Sequence, residues 1–76
     1  MNIQATIDEL KKEHDLLLDK SCLIMDLICN VTDAFPEIRK DMRTHPMSKG
    51  LCDKHKEIET KRKGIFKAIE ALEAIL

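Results

Sequence analysis

The sequence predicts an all-α fold: a long antiparallel helical hairpin with a short connecting helix, which dimerises into a four-helix bundle. Hydrophobic residues make up 43% and charged residues 36% of the 76 positions, and only two Gly and two Pro are present. This composition favours helices over strands and turns. Two long stretches also carry apolar residues in the 4-3 alternation of packed helices, and both prolines lie between them. We expect residues 1–76 to form a single helical domain.

The first helix is predicted over about 3–31, a stretch without Gly or Pro in which Asn2 or Thr6 supplies the N-cap. Seven of the nine residues at its 4-3 positions are apolar. These positions hold Ile3, Ile7, Leu10, His14, Leu17, Ser21, Ile24, Ile28 and Val31. Such a row indicates one continuous face that packs against a neighbouring helix.

The last helix is predicted over about 49–76, with Ser48 as its N-cap. Its 4-3 positions hold Leu51, His55, Ile58, Arg62, Ile65, Ile69, Leu72 and Leu76, of which six are apolar. Between the long helices, a short helix is predicted over about 36–44. Pro36 is suited to its first turn, and Pro46 is expected to end it.

The first helix is too apolar for one partner helix. Eleven of the sixteen residues from 16 to 31 are apolar, whereas one face requires an apolar stripe of only about 100°. The polar residues Asp15, Asp19, Asp26, Asn30 and Asp33 lie on one narrow stripe. We therefore expect a second copy of the chain to cover the remaining apolar surface, because symmetric dimers are the commonest oligomers.

Charge is unevenly distributed along the chain. Residues 1–37 carry a net charge of −5, residues 38–68 carry +6, and the last eight residues carry −2. The favoured interpretation is an acidic helix beside a basic one, which fixes antiparallel pairing or dimer register. The alternative is a nucleic-acid-binding dimer that uses the basic region 39–67.

The four polar residues His14, Ser21, His55 and Arg62 interrupt the two apolar rows, and we interpret them as setting the register of the hairpin or dimer. Ser21 and Arg62 are expected nearly opposite one another, with Asp19 or Glu59 supplying an anion for the guanidinium. A further alternative is a metal site. The pair Glu13-His14 and the HKEIE segment with His55 and Glu59 resemble hemerythrin-like cation-binding domains, and this resemblance implies a di-iron site at a dimer interface.

No enzyme is predicted, because the chain offers no Gly-rich loop, oxyanion hole or pocket-forming segment beside Cys52 and His55. The three cysteines Cys22, Cys29 and Cys52 show no CxxC spacing and are expected to be reduced, buried thiols of a cytoplasmic protein. No secretory signal or membrane span is predicted. No catalytic residue, cofactor or resident metal is assigned.

The predicted function is that of a small cytoplasmic adaptor or regulatory protein, acting as a homodimer through protein–protein contacts with a partner that the sequence does not identify. The connecting segment is the predicted contact surface because the hairpin does not need it for its core. It offers apolar anchors and positive charge. The residues are Phe35, Ile38, Arg39, Lys40, Met42, Arg43 and Met47.

Overall fold

The computed structural model describes residues 2–76 and contains only helices in that range. The chain forms helix α1 (Ile3–Ala34), a 3₁₀ helix (Pro36–Lys40) and helix α2 (Pro46–Ile75). The two long helices pack against each other in a hairpin about 52 Å long. They run antiparallel, since Lys11 near the start of α1 pairs with Glu73 near the end of α2. The predicted all-α helical hairpin is thus confirmed, and no helix in residues 2–76 has the length and hydropathy needed to cross a membrane.

Local chemistry determines both ends of α1. The Asn2 side chain accepts hydrogen bonds from the backbone N–H groups of Gln4 (2.9 Å) and Ala5 (3.4 Å), as an N-cap does. The helix continues three residues beyond the predicted end at 31. It ends where Phe35 precedes Pro36, because a residue before proline is sterically disfavoured in the helical conformation.

The connection between the helices differs from the prediction. The expected helix over 36–44 is instead a 3₁₀ helix of five residues, and Pro46 begins α2 rather than ending the shorter element. Proline suits the first position of a helix because the N–H that it lacks would have had no intrahelical acceptor there. His45 is the N-cap, with Nδ1 accepting from the Met47 N–H at 3.2 Å. The predicted cap, Ser48, is fully buried and donates its hydroxyl to the carbonyl oxygen of Met42.

The core is a single row of contacts along the hairpin. Its buried apolar side chains are Ile7, Leu17, Ile28, Ile38, Ile58 and Ile69. All nine 4-3 positions of α1 are buried or half-buried, as are those of α2 except Leu76, which is 68% exposed because the helix ends before it. The 4-3 alternation therefore identified the faces along which the two helices meet.

Candidate functional site

A polar layer crosses the middle of the helix–helix contact. Arg62 donates from Nε to Glu59 Oε2 at 2.7 Å and from Nη2 to Glu59 Oε1 at 2.9 Å, which makes the pair bidentate. Its third nitrogen, Nη1, lies 3.2 Å from Nε2 of His14 on the opposite helix. Because arginine has donors only, Nε2 of His14 is the acceptor in this contact. Ser21, which is buried in α1, contributes a hydrogen bond to Glu59.

The Arg62–Glu59 pair controls the electrostatics of this layer. Hydrogen bonds from Arg62 lower the pKa of Glu59 from 4.5 to about 2, against the opposing effect of desolvation. The Ser21 hydrogen bond and the charges of Arg62 and His55 act in the same direction as the Arg62 bonds. The carboxylate in turn raises the pKa of Arg62. Arg62 interrupts the apolar row of α2 and therefore needs a nearby anion, which Glu59 supplies. The polar layer that contains this pair joins α1 to α2.

The proposed metal ligands do not form a site within one chain. Both carboxylate oxygens of Glu59 are bonded to Arg62, and the guanidinium also reaches His14. In the described part of the chain, no three His, Cys, Asp or Glu side chains come together in a metal-binding arrangement. A cation at Glu59 would have to displace Arg62, so this geometry disfavours a hemerythrin-like site. His55 lies one turn before Glu59 on α2. It is half-buried and lines a groove together with Cys52 and Lys56.

Helix α1 exposes apolar side chains on two sides of its contact with α2. The first flank consists of Leu18, Cys22, Met25 and Cys29, and the second flank consists of Leu16, Leu23 and Leu27. All seven residues are classed as exposed in the single chain. The leucines of the second flank are 50–64% exposed, and Leu18 and Met25 of the first flank are 40% and 43% exposed.

The cysteines occupy a different environment from the one predicted. All three are free thiols, but Cys22 and Cys29 are exposed and Cys52 is only half-buried. Both α1 cysteines belong to the first flank, which lies beside the contact with α2 and leaves these thiols exposed in the single chain. Cys52 lies close enough to the connecting segment for its Sγ to contact the Met42 carbonyl oxygen at 3.6 Å.

Two grooves lie on the side of the hairpin that carries the first flank. One has a volume of about 430 Å³ and joins Met25 of this flank to Cys52 and Lys56 of α2. The other, of about 380 Å³, is lined by His14 together with Lys63 and other residues of α2. One side of the hairpin thus combines an apolar strip on α1 with lysines on α2.

The apolar residues predicted to contact a partner, in and next to the connecting segment (residues 35–45), fall into two groups that differ in burial. Ile38 is 1% exposed and packs into the core, so its predicted role as an anchor for a partner is wrong. The 3₁₀ helix turns this side chain inward, and Met42 is half-buried nearby. Phe35 (42% exposed) and Met47 (50% exposed) are the apolar side chains that remain accessible.

The connecting segment also carries exposed positive charge. Lys40 and Arg43 are exposed, and both line a depression of about 380 Å³ on the connecting segment. Arg39 also lines it, although its Nη2 donates to Asp33 at 2.7 Å. The depression is therefore lined by three cationic side chains and one carboxylate, Asp41, and Phe35 and Met47 are the exposed apolar side chains at this end of the hairpin. Comparison with known proteins finds no family model, curated protein or solved structure that matches the chain.

Proposed function

We propose that this protein is a small helical interaction protein that acts as a homodimer and binds a protein partner through its connecting segment. The observation that carries the proposal is the apolar surface that α1 leaves uncovered. Five large apolar side chains of this helix are each at least 40% exposed in one chain: Leu16, Leu18, Leu23, Met25 and Leu27. A small protein rarely leaves this many large apolar side chains of one helix in water unless another chain covers them.

The first flank is the side on which we place the second copy. Leu18, Cys22, Met25 and Cys29 follow the same 4-3 spacing as the buried row of α1, and this spacing matches helix-on-helix packing. The grooves beside this flank provide concave surface into which side chains of a second hairpin fit. In the resulting bundle, α1 has two helical neighbours.

The partner surface lies at the end of the hairpin, where Arg43 also lines the groove that Met25 of the first flank lines. The exposed side chains of Phe35 and Met47 offer apolar contact area. Lys40 and Arg43 of the connecting segment offer positive charge. A protein segment that combines acidic residues with a large apolar side chain has the complementary chemistry. Such a partner is favoured over nucleic acid because the chain is slightly acidic overall, with a net charge of −1.

Size-exclusion chromatography with light scattering tests the dimer. Protein concentration is followed by refractive index, because the chain has no Trp or Tyr and absorbs very weakly near 280 nm. We expect a mass of twice 8.8 kDa over a range of concentrations. A mass of 8.8 kDa at all concentrations would refute the dimer. Absorbance near 260 nm that co-elutes and disappears with increasing salt would favour the nucleic-acid alternative.

A matched pair of variants tests the partner surface. The triple variant Phe35→Ala/Arg39→Ala/Arg43→Ala removes an exposed ring and two charges from the connecting segment. The control Lys12→Ala/Lys61→Ala removes two charges elsewhere on the helices. Partners captured by the wild-type protein should be lost with the triple variant and retained with the control. Equal capture by both variants would show that the contact lies elsewhere.

A further inference from the structure

Two opposite rows of charge run along the outer edges of the hairpin. The aspartate stripe on α1 consists of Asp15, Asp19 and Asp26, and the lysine stripe on α2 consists of Lys56, Lys63 and Lys67. All six side chains are exposed. Residues separated by seven positions recur on the same side of a helix, so each row is continuous along its edge.

The two stripes lie at matching heights along the hairpin. Three contacts define this height: the rings of His14 and Phe66 are 5.9 Å apart between centroids, Lys11 pairs with Glu73, and Ser21 bonds to Glu59. In these contacts the two residue numbers add to 80 or 84.

The pairs Asp15 with Lys67, Asp19 with Lys63, and Asp26 with Lys56 each add to 82. Each aspartate is therefore level with a lysine, to within about two residues, or about 3 Å along the helix axis.

Within one chain the two stripes do not meet. No ion pair in residues 2–76 joins a member of the aspartate stripe to a member of the lysine stripe. In residues 2–76, the one side chain that forms a polar contact with the side chain of a stripe member is His14, whose Nδ1 lies 3.4 Å from Oδ1 of Asp15. The stripes are separated because both lie on edges that face away from the contact between α1 and α2.

We propose that two copies associate about a two-fold axis parallel to the helices, so that the aspartate stripe of each copy lies against the lysine stripe of the other. The first flank of α1 then packs on the grooved face of the second copy's α2. A rotation about this axis does not shift residues along it, so the matching heights within one chain are inherited by the dimer. Each aspartate stripe then lies against a lysine stripe of the other copy. The long lysine side chains cover part of the apolar first flank.

Charge disfavours the other symmetric arrangement, in which α1 packs on α1 and α2 on α2. That dimer places aspartates against aspartates and lysines against lysines. In that dimer the first flanks of the two α1 helices would meet, but the contact between the two aspartate stripes and the contact between the two lysine stripes would both be repulsive. The inference rests on the proposed homodimer and adds its orientation and register, so the two can fail separately.

Charge reversal distinguishes the two arrangements. In the proposed dimer, Asp19→Lys/Asp26→Lys replaces four attractive rim contacts by four repulsive ones, because each site occurs twice. A single surface ion pair changes affinity only a few-fold, but four together should raise the dimer Kd by roughly tenfold or more. Adding Lys56→Glu/Lys63→Glu should bring the Kd back to within about threefold of wild type. In the rival arrangement, Asp19→Lys/Asp26→Lys only exchanges facing aspartates for facing lysines, so the dimer Kd should change little.

The native cysteines give a second test on the unmodified protein. Cys29 and Cys52 are level in the hairpin, so the proposed dimer brings Cys29 of one copy beside Cys52 of the other. The rival arrangement packs α1 on α1 and α2 on α2, so its links between copies would join two α1 cysteines or two copies of Cys52. Mild oxidation with diamide removes one hydrogen from each of two thiols, reduces diamide to the hydrazine and leaves a disulfide. Mixing ¹⁵N-labelled with unlabelled chains identifies the links between copies by mass spectrometry.

The outcomes separate the orientation from the dimer itself. A covalent dimer linked through Cys29 and Cys52, together with rescue by the fourfold charge swap, supports the proposed orientation. A link between cysteines of the two α1 helices, or a dimer Kd that the aspartate reversal leaves unchanged, overturns the orientation and leaves the homodimer standing. A wild-type chain that remains monomeric overturns both. Circular dichroism of each variant checks that its helices are retained.

Discussion

The double variant Leu18→Gln/Met25→Gln tests which side of α1 meets the second copy. Both residues belong to the first flank and lie seven positions apart on one side of the helix. Glutamine is unbranched and forms helices about as well as leucine or methionine, so the substitution changes polarity while preserving helix propensity. Because both side chains already contact solvent in the single chain, we expect the hairpin to remain folded.

The expected effect on dimerisation follows from their exposure. Fully burying a leucine or methionine side chain stabilises by about 1.5–3 kcal/mol. Leu18 is 40% and Met25 43% exposed, so docking buries only this remaining fraction. That burial contributes about 0.6–1.3 kcal/mol per side chain. The symmetric dimer contains four such side chains, giving about 2.5–5 kcal/mol, or roughly 10²- to 5 × 10³-fold in Kd.

Leu16→Gln/Leu23→Gln is the matched control. It makes the same chemical change on the same helix with the same spacing, but on the second flank, where the leucines are 57% and 64% exposed. Light scattering over a dilution series should show a dissociated first-flank variant and a dimeric control. The opposite result would refute the use of the first flank, and two fully dimeric variants would refute the apolar contribution calculated above.

Three further predictions concern the stability of the hairpin, measured at fixed protein concentration. The pKa of Glu59 is depressed when the chain folds, so its ionised form stabilises the fold above about pH 4.5, and this contribution is lost as the pH falls towards 2. Because the pair is partly exposed, we expect about 1 kcal/mol, and Glu59→Gln should flatten the pH dependence of the unfolding free energy across this window. A slope that does not change would contradict the assignment. Gly64 lies within α2 with no atom within 4 Å of an added Cβ, so Gly64→Ala should stabilise by about 1 kcal/mol and raise Tm by about 4–8 °C. An unchanged Tm would indicate a neighbour at this position. Ile38→Ala empties a buried site and should cost about 2–5 kcal/mol in denaturant unfolding, whereas Phe35→Ala, at an exposed site, should cost much less. Equal losses would contradict the burial of Ile38.

Sequence periodicity was sufficient to identify the main contact of this fold. A 4-3 row specifies which side of a helix is apolar, and the two rows are the faces that meet in the hairpin. The polar interruptions were also informative, because a guanidinium on a seam requires an anion close by. Glu59, one of the two carboxylates expected for Arg62, lies three residues earlier on the same helix face, where helix geometry brings the two side chains together.

The connecting segment was less predictable because its geometry depends on tertiary contacts. Pro46 can end one helix or begin the next, and local sequence does not distinguish these roles. The burial of Ile38 and the hydrogen bond from Ser48 to the Met42 carbonyl are settled only when the chain folds back on itself. This is why an expected anchor for a partner became a core residue.

By itself, the sequence determined the helical hairpin, its two contact faces and the separation of acidic from basic residues, because periodicity and charge are properties of the chain alone. Only the tertiary structure decided how much of the remaining apolar surface is covered. One neighbouring helix buries one face of α1, so Cys22 and Cys29, expected to be buried, are exposed in the single chain. The apolar pattern of α1 predicted more than one neighbour, but which sides of the helix one chain leaves uncovered depends on how its elements pack in three dimensions.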